Sequence, residues 1–387
     1  MSWEKVRLGD IAEFSNGINF GKDDYGKGIK IIGVSNFGDK FSPEYDSLTE
    51  VKEEVVKSND YLYPGDIVFV RSNGNKELVG RCMLIDNKAD KVTYSGFCIR
   101  ARLKDTTKHN PTFWTYHFKN QSFRKAMAGT AVGANIQNLS QGRLADYVTT
   151  VPDYDSQVRI AQWLAVYDNL IENNKKQIKL LEEAAERLYR EWFVDFHFPG
   201  YEDAKIVDGV PDGWKNRTVG EVIEKPARSK QIMTSNYQKS GLIPIIDQSR
   251  DFIAGYTNDA EALVEKDVPV IVFGDHTRVL KYIQFPFAKG ADGTQLIISN
   301  CDEMPQSLLY CSLVSIDLSN YHYARHFKYL KAEKVLIPTL EIANMFDKFC
   351  SEIFEEIQCK RNQIVKLTEA RDRLLPKIMN GEVEIEI

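Results

Sequence analysis

Three short patterns in the sequence could carry chemistry, and each lacks a part that its reaction needs. Asn110-Pro-Thr-Phe113 has three of the four positions of the Asn-Pro-Pro-aromatic motif of amino-methyltransferases, but no glycine-rich cofactor loop follows a strand. Residues 28–33 have the spacing of a phosphate-binding loop, but Val34-Ser35 stands where Lys-Ser/Thr is required. His322 and His326 are one helical turn apart without an evident third metal ligand. We therefore expect no catalytic residue, metal or cofactor in this chain, a pattern typical of a binding protein.

The composition indicates a soluble globular protein of two or three domains. The chain has 387 residues, 43% of them hydrophobic, and a net charge of −5. This charge argues mildly against nucleic-acid binding, although phosphate contact needs only local basic clusters. The first residues do not resemble a secretory leader, and no apolar run approaches the roughly 20 residues of a membrane span. We expect a cytoplasmic protein whose six scattered cysteines are mostly buried free thiols.

The chain repeats itself once. The nine residues from Trp3 align with those from Trp214, an offset of 211 residues. The β-type runs 30–35 and 66–70 correspond to 244–249 and 268–273, and each copy closes on an extended stretch that ends at Pro152 or Pro338. From position 152 to position 338 the offset is 186 residues, and it continues without gaps. The second copy has therefore lost about 25 residues from its β-rich part, while the helical part kept its length.

The segment after each closing proline predicts one long helix of roughly 40 residues, or about 60 Å. Its core positions alternate by four and three residues, as in a coiled coil. In the first copy they are Ile160, Leu164, Tyr167, Ile171, Asn174, Ile178, Leu181, Ala185, Leu188 and Trp192, and in the second Phe346, Cys350, Ile353, Ile357, Lys360, Ile364, Leu367, Arg371, Leu374 and Ile378. Each set of core positions forms a stripe along its helix. Both stripes are buried most simply if the helices pack antiparallel. Asn174 and Lys360 would then meet in mid-helix and fix the register.

Taken together, these patterns predict an α+β protein with two β-rich domains in tandem repeat and two long antiparallel coiled-coil helices. The predicted boundaries are 1–152 for the first domain, 153–195 for its long helix, 196–213 for a linker rich in turn signals, 214–338 for the second domain and 339–387 for the C-terminal helix. A β-rich part that varies while the helix keeps its length indicates a fixed spacer that carries two different recognition domains.

Several motifs resemble those of type I restriction–modification DNA-specificity subunits. The most specific is Leu188-Tyr-Arg-Glu-Trp-Phe-Val-Asp-Phe-His-Phe-Pro199 after a long helix, and Asn138-Leu-Ser140 followed by Val151-Pro152 is similar to the same family. The ending Leu374-Leu-Pro-Lys-Ile-Met-Asn-Gly-Glu382 and the openings at Trp3 and Trp214 also resemble it. The resemblance covers essentially the whole chain. It departs from the family pattern in the divergent second domain, where Pro269 interrupts the aligned strand.

The resemblance implies two target-recognition domains, each reading one half of a split double-stranded DNA site, with the helices setting the unread gap. It also implies two methyltransferase subunits and two restriction/translocase subunits as partners. S-adenosylmethionine, ATP and Mg would belong to those subunits, and this chain would be non-catalytic. Two alternatives remain open: a helical scaffold or adaptor that does not bind DNA, and a fused enzyme subunit, which the missing catalytic motifs oppose.

Sequence-specific reading requires polar side chains that reach base edges, whereas phosphate contacts only position the protein. Arginine suits guanine, and asparagine or glutamine suits adenine. We therefore selected polar and basic residues in loops that follow predicted strands. The candidates in the first domain are Lys22, Arg71, Ser72, Asn73, Lys76, Asn135 and Gln137, and those in the second are Arg228, Lys230, Gln231, Gln248, Arg250, His276, Arg278, Arg325 and Lys328.

Overall fold

The computed structural model describes residues 2–38, 40–73, 78–86, 91–128, 137–224, 229–264, 269–321 and 325–383. The chain divides into unit 1, residues 1–172 and 364–387, and unit 2, residues 173–363. This division passes through both long helices, so that each unit contains a β-rich part and a portion of each helix.

The first repeat contains the elements from β1 to α5. The strands are β1 (Trp3–Arg7), β2 (Ala12–Asn16), β3 (Tyr25–Ile32), β4 (Thr49–Val51), β5 (Ile67–Val70), β6 (Ser72–Asn73), β7 (Cys82–Leu84), β8 (Val92–Tyr94), β9 (Cys98–Leu103), β10 (Gln137–Asn138) and β11 (Val148–Pro152). The helices are α1 (Leu8–Ile11), α2 (Pro111–Lys119), α3 (Gln121–Ala128), α4 (Gln141–Ala145) and α5 (Tyr154–Phe193).

Unit 1 is built around two sheets of three or more strands, beside the two-stranded pairs β1–β11 and β6–β10. One has the antiparallel order β2-β9-β5-β7, and the other has the order β4-β3-β8 with β3 and β8 parallel. All four residues of β5 are buried, as expected for a central strand made of Ile-Val-Phe-Val. Helix α2 covers this sheet, and it begins where the Asn110 side chain accepts a hydrogen bond from Phe113 N. Helix α2 ends at Lys119 and α3 begins at Gln121, because the backbone at Asn120 is extended.

The second repeat contains the remaining elements. The strands are β12 (Ile206–Val207), β13 (Val210–Pro211), β14 (Lys215–Thr218), β15 (Gln231–Ile232), β16 (Ile243–Ile246), β17 (Gly255–Thr257), β18 (Leu263–Val264), β19 (Val270–Gly274), β20 (Leu280–Ile283), β21 (Phe287–Gly290), β22 (Thr294–Ile297) and β23 (Lys334–Ile337). The helices are α6 (Gln306–Val314), α7 (Phe327–Ala332) and α8 (Leu340–Met379).

The strand pairing of unit 2 repeats that of unit 1, which confirms the tandem repeat. The central pair β19–β22 corresponds to β5–β9, and the parallel pair β16–β21 corresponds to β3–β8. In both units the opening strand pairs antiparallel with the closing strand, β1 with β11 and β14 with β23. The predicted linker also contains a small hairpin, β12–β13, with Asp208 and Gly209 at positive φ in its turn.

The two long helices were predicted correctly, and each has 40 residues. In unit 2, Glu182 of α5 contacts Arg361 of α8, and Trp192 of α5 contacts Phe346 of α8. Residue numbers rise along one helix as they fall along the other, so the pair is antiparallel. Many stripe residues are buried as expected, among them Ile160, Leu164, Ile171, Ala185, Trp192, Phe346, Cys350, Ile357 and Ile378.

His117 of α2 makes the stability of unit 1 sensitive to acid. Its ring is buried, neither ring nitrogen has a hydrogen-bond partner, and burial lowers its pKa from 6.5 to about 4. Between these values the unfolded chain binds a proton that the folded chain excludes, so stability falls as the pH falls from 6.5 towards 4. Between pH 7 and pH 4.5 this residue should cost about 2 kcal/mol. Denaturant titrations at both pH values should therefore show a smaller loss for His117→Leu than for wild type, and equal losses would contradict the assignment.

Candidate nucleic-acid interface

In unit 1, two distant segments meet directly after the central strand β5. Strand β6 pairs with β10, so that Asn73 lies opposite Gln137, and Leu139 N donates to Arg71 O at 2.9 Å. The structure thus brings together the backbones of four candidates from two predicted loops: Arg71, Ser72, Asn73 and Gln137. The candidates Lys76 and Asn135 lie outside the described residues.

The turn between β8 and β9 fixes the position of this segment. Phe97 O accepts hydrogen bonds from Arg71 N at 2.8 Å and from Ser72 N at 3.4 Å. The half-buried Arg71 side chain donates to Gly96 O through Nη1 at 3.3 Å, and Gly96 N donates to Ile18 O at 2.6 Å. Because backbone groups are hydrogen-bonded on both sides of the turn, the side chains of the turn project from well-defined backbone positions.

In unit 2, Gln248 joins three loops. Its Nε2 donates to Asp292 O at 2.9 Å, and its Oε1 accepts from His276 N at 3.1 Å. Its main-chain oxygen accepts from Thr277 Oγ1 at 2.6 Å. Both ends of the amide are therefore bonded to backbone, which favours a role for Gln248 in positioning the exposed His276 rather than in contacting a base itself.

Asp275, which we did not select from the sequence, connects this turn to the segment before α7. It is buried, and its Oδ1 accepts from Phe327 N at 2.8 Å while its main-chain oxygen accepts from His326 N at 2.9 Å. The exposed Arg325 and Lys328 flank these two residues in sequence. Asp275 thus brings two of the predicted loops to one place. The sequence feature that could have identified Asp275 is a carboxylate immediately after the buried strand β19.

Lys281, which is not among the candidates predicted from the sequence, holds the loop that carries Arg250. The Lys281 side chain is buried, and its ammonium donates to Asp247 O at 2.9 Å and to Asp251 O at 2.5 Å. Burial lowers the pKa of this ammonium, and the nearby Asp247 and Asp251 carboxylates offset only part of that shift. Arg250 itself is exposed.

Arg278 is also exposed, but one end of its guanidinium is engaged. Its Nη1 donates to Leu318 O at 3.0 Å, and its backbone has a φ of 62°, which L residues rarely adopt. Of the predicted loops of unit 2, three therefore meet through the contacts of Gln248 and Asp275, and they present the following basic or polar candidates: Arg250, His276, Arg278, Arg325 and Lys328.

The other candidates are less suited to phosphate contact. Lys230 contacts Asp259 and Glu261, both at 2.8 Å, and these carboxylates raise its pKa. Lys22 is exposed in a short 3-10 turn, where Asp23 and Asp24 follow it and reduce the local positive potential. The exposed Gln231 lies in β15, and Arg228 lies outside the described residues.

Neither a metal site nor a membrane span is found in the described part of the chain. No group of three or more His, Cys, Asp or Glu residues among those described could hold a metal ion. His326 is buried, whereas His322 lies outside that part. Within the same residues, no helix is both long and apolar enough to cross a membrane.

The register of the helices separates Asn174 from Lys360. Asn174 is buried, and Lys360 contacts Glu356 of its own helix at 3.0 Å. The next residue, Arg361, contacts Glu182 at 3.0 Å, so Lys360 lies level with the residues around Glu182. Asn174 is eight residues earlier, about 12 Å along α5. The expected contact between the two is therefore not formed, and the effect of each on register stays a prediction.

The sequence is similar to those of type I restriction enzyme specificity subunits. The family described as "Type I restriction modification DNA specificity domain" matches residues 1–183. The type I restriction enzyme MjaIX specificity subunit of Methanocaldococcus jannaschii is 26% identical over 297 residues, which are 70% of this chain and 68% of that protein. The putative type I restriction enzyme MjaX specificity subunit of the same organism is 23% identical over 414 residues, covering 99% of this chain and 94% of that protein.

A solved structure has the same fold. The crystal structure of the type I restriction–modification system S subunit from M. genitalium matches with a TM-score of 0.58 at 15% identity. The match covers 97% of this chain and 96% of that one. The chain is therefore similar over nearly its whole length to type I restriction–modification DNA-specificity subunits, and residues 1–183 match the model of that family.

Proposed function

We propose that this chain is the non-catalytic DNA-reading subunit of its complex, and that each unit reads one half of a split double-stranded site. One observation carries the proposal. In each unit a central buried strand, β5 or β19, ends in a turn that presents polar or basic side chains and is fixed by backbone hydrogen bonds. The two turns differ in sequence although their scaffolds repeat, which suits two readers with different targets.

In this proposal the remaining activities belong to partner subunits. Two methyltransferase subunits would supply S-adenosylmethionine chemistry, and two restriction/translocase subunits would supply ATP- and Mg-dependent cleavage, all in the cytoplasm. This chain would hold those subunits on the chosen DNA site. The helices α5 and α8 would set the length of DNA that neither unit reads.

A second candidate is a scaffold that binds protein and no DNA. It is favoured by an apolar groove of unit 2 between α5 and α8, lined by residues that include Leu188, Trp192 and Phe349. Half of the Phe349 surface is exposed, and exposed apolar grooves commonly receive partner proteins. The groove is also compatible with the first candidate, because a DNA-reading subunit must dock its enzyme partners.

The experiment is to sequence the methylome of cells that carry this subunit with its methyltransferase, and of cells that lack it. We expect a methylated motif in two halves with a fixed gap. Two loop variants then assign the halves: Arg325→Ala in unit 2 should alter one half, and Ser72→Ala in unit 1 should alter the other. Lys230→Ala is the matched control, since its ammonium already has two carboxylate partners. Unchanged methylation in cells where the subunit and methyltransferase co-purify would favour the scaffold.

A further inference from the structure

Phe97 places an aromatic ring in solvent at the end of a buried strand pair. The residue is 62% exposed, whereas Tyr94 and Cys98 at the adjoining strand ends are fully buried. Its main chain is fixed by the hydrogen bonds from Arg71 and Ser72. A large apolar side chain held rigidly outward loses the stabilisation that burial would give it. A ring in such a position is suited to contact with another molecule.

The surroundings of Phe97 favour DNA over a protein partner. The segment bonded to its turn carries Arg71, Ser72 and Asn73, which are polar residue types that read base edges. Protein interfaces have a contiguous apolar core, which these neighbours do not provide. The major groove instead combines hydrogen-bonding base edges with one apolar group, the C5-methyl of thymine, and phenylalanine is among the side chains that contact it.

The position in unit 2 that is equivalent to Phe97 can be identified from the repeated strand pairing. Val70 pairs with Cys98 in unit 1, and Gly274 pairs with Thr294 in unit 2, so Phe97 corresponds to Gly293. The hydrogen bond to this position is also repeated: Arg71 N donates to Phe97 O at 2.8 Å, and Asp275 N donates to Gly293 O at 2.7 Å.

The space that a side chain would take at Gly293 is occupied by polar groups. A Cβ built on Gly293 would lie 2.7 Å from His276 Cδ2 and 2.8 Å from Gln248 Oε1. Unit 1 therefore presents an aromatic ring where unit 2 presents the imidazole of His276, a residue whose main-chain N donates to Gln248 Oε1. The same scaffold position thus carries different recognition chemistry in the two units.

We propose that Phe97 determines specificity by packing against the C5-methyl group of a thymine in the half-site that unit 1 reads. The corresponding position of unit 2 contributes a polar contact through His276. This inference rests on the proposed function, since it assumes that both units read DNA.

The test uses the full-length chain assembled with its methyltransferase subunit, on a duplex carrying the methylated motif. Each thymine of both half-sites is replaced in turn by uracil, which removes only the C5-methyl group. For wild type we expect one such replacement, in the half-site of unit 1, to weaken binding about fourfold. With Phe97→Ala the thymine and uracil duplexes should bind equally, and both more weakly than wild type binds thymine, while binding to unrelated DNA stays unchanged.

Leu242→Ala is the matched control, because it removes a side chain that is 88% exposed in unit 2. It should keep the full uracil effect. The inference is overturned if wild type and Phe97→Ala respond equally to every uracil, or if the half-site of unit 1 contains no A·T pair. It is also overturned if Phe97→Ala loses the methyltransferase subunit but keeps DNA affinity, which would assign the ring to a protein interface. A wild-type complex that recognises no DNA sequence would instead refute the proposed function itself.

Discussion

Replacing Arg371 with methionine is expected to lower the free energy of unfolding of unit 1 by about 3–5 kcal/mol. Arg371 Nη1 contacts Asp168 Oδ1 at 2.5 Å, and the two side chains are only 16% and 15% exposed. Tyr116 OH donates to the other carboxylate oxygen of Asp168, also at 2.5 Å. Without the guanidinium, the Asp168 carboxylate stays between the helices with its charge uncompensated. Guanidinium chloride titrations followed by tryptophan fluorescence measure the change.

Two further variants separate the buried charge from the helix surface. Arg373→Met, two residues away, removes a guanidinium that is 81% exposed and should change stability by less than about 0.5 kcal/mol. The double variant Asp168→Phe, Arg371→Ala should recover most of the loss. It recreates the buried apolar residues that the repeat places at the equivalent positions, Phe354 and Ala185. A change below about 1 kcal/mol in Arg371→Met would show that the pair is not structurally important.

Inserting one heptad into both long helices should lengthen the unread gap of the DNA site by about 3 base pairs and leave both half-sites unchanged. Seven helical residues add about 10.5 Å, and base pairs are 3.4 Å apart. The insertions belong between Glu172 and Asn173 and between Gln363 and Ile364, where the chain passes from one unit to the other. A heptad keeps the stripe in phase. Methylome sequencing gives the result.

Insertion into one helix alone is the control. It moves α5 and α8 out of register, so that the contacts Asp168–Arg371 and Glu182–Arg361 cannot both form. We expect that variant to lose specific methylation. If the double insertion changed the sequence of either half-site, the two long helices would not act as a spacer.

The repeat and the long helices could be predicted from the sequence because self-similarity and heptad spacing are read along a single chain. The contact between Asn174 and Lys360 could not. A heptad stripe is compatible with several registers, and here specific pairs such as Glu182–Arg361 select among them. Arg371 was one of the predicted core positions, but its contact with Asp168 could not be predicted without the register of the two helices.

The DNA-binding candidates remain predictions, and the structure shows only how their loops are held. Ser72 and His276 lie at turns fixed by hydrogen bonds to the backbone. The residues that build those turns were missed, because their partners are distant in sequence: Asp275 bonds Phe327, 52 positions away, and Lys281 bonds Asp251, 30 positions away. Phe97 could not be predicted from the sequence, because an isolated phenylalanine between two apolar strands is indistinguishable from a core residue until its exposure is known.

The pairing of opening and closing strands has a consequence for inheritance. Trp3 lies opposite Pro152, and Lys215 lies opposite Ile337. The first and last strands of each β-rich part are therefore neighbours. A genetic crossover within these short strands would replace a complete recognition module and leave the long helices intact. Recombination between related genes could therefore produce a new specificity in one step, without first passing through an unfolded hybrid.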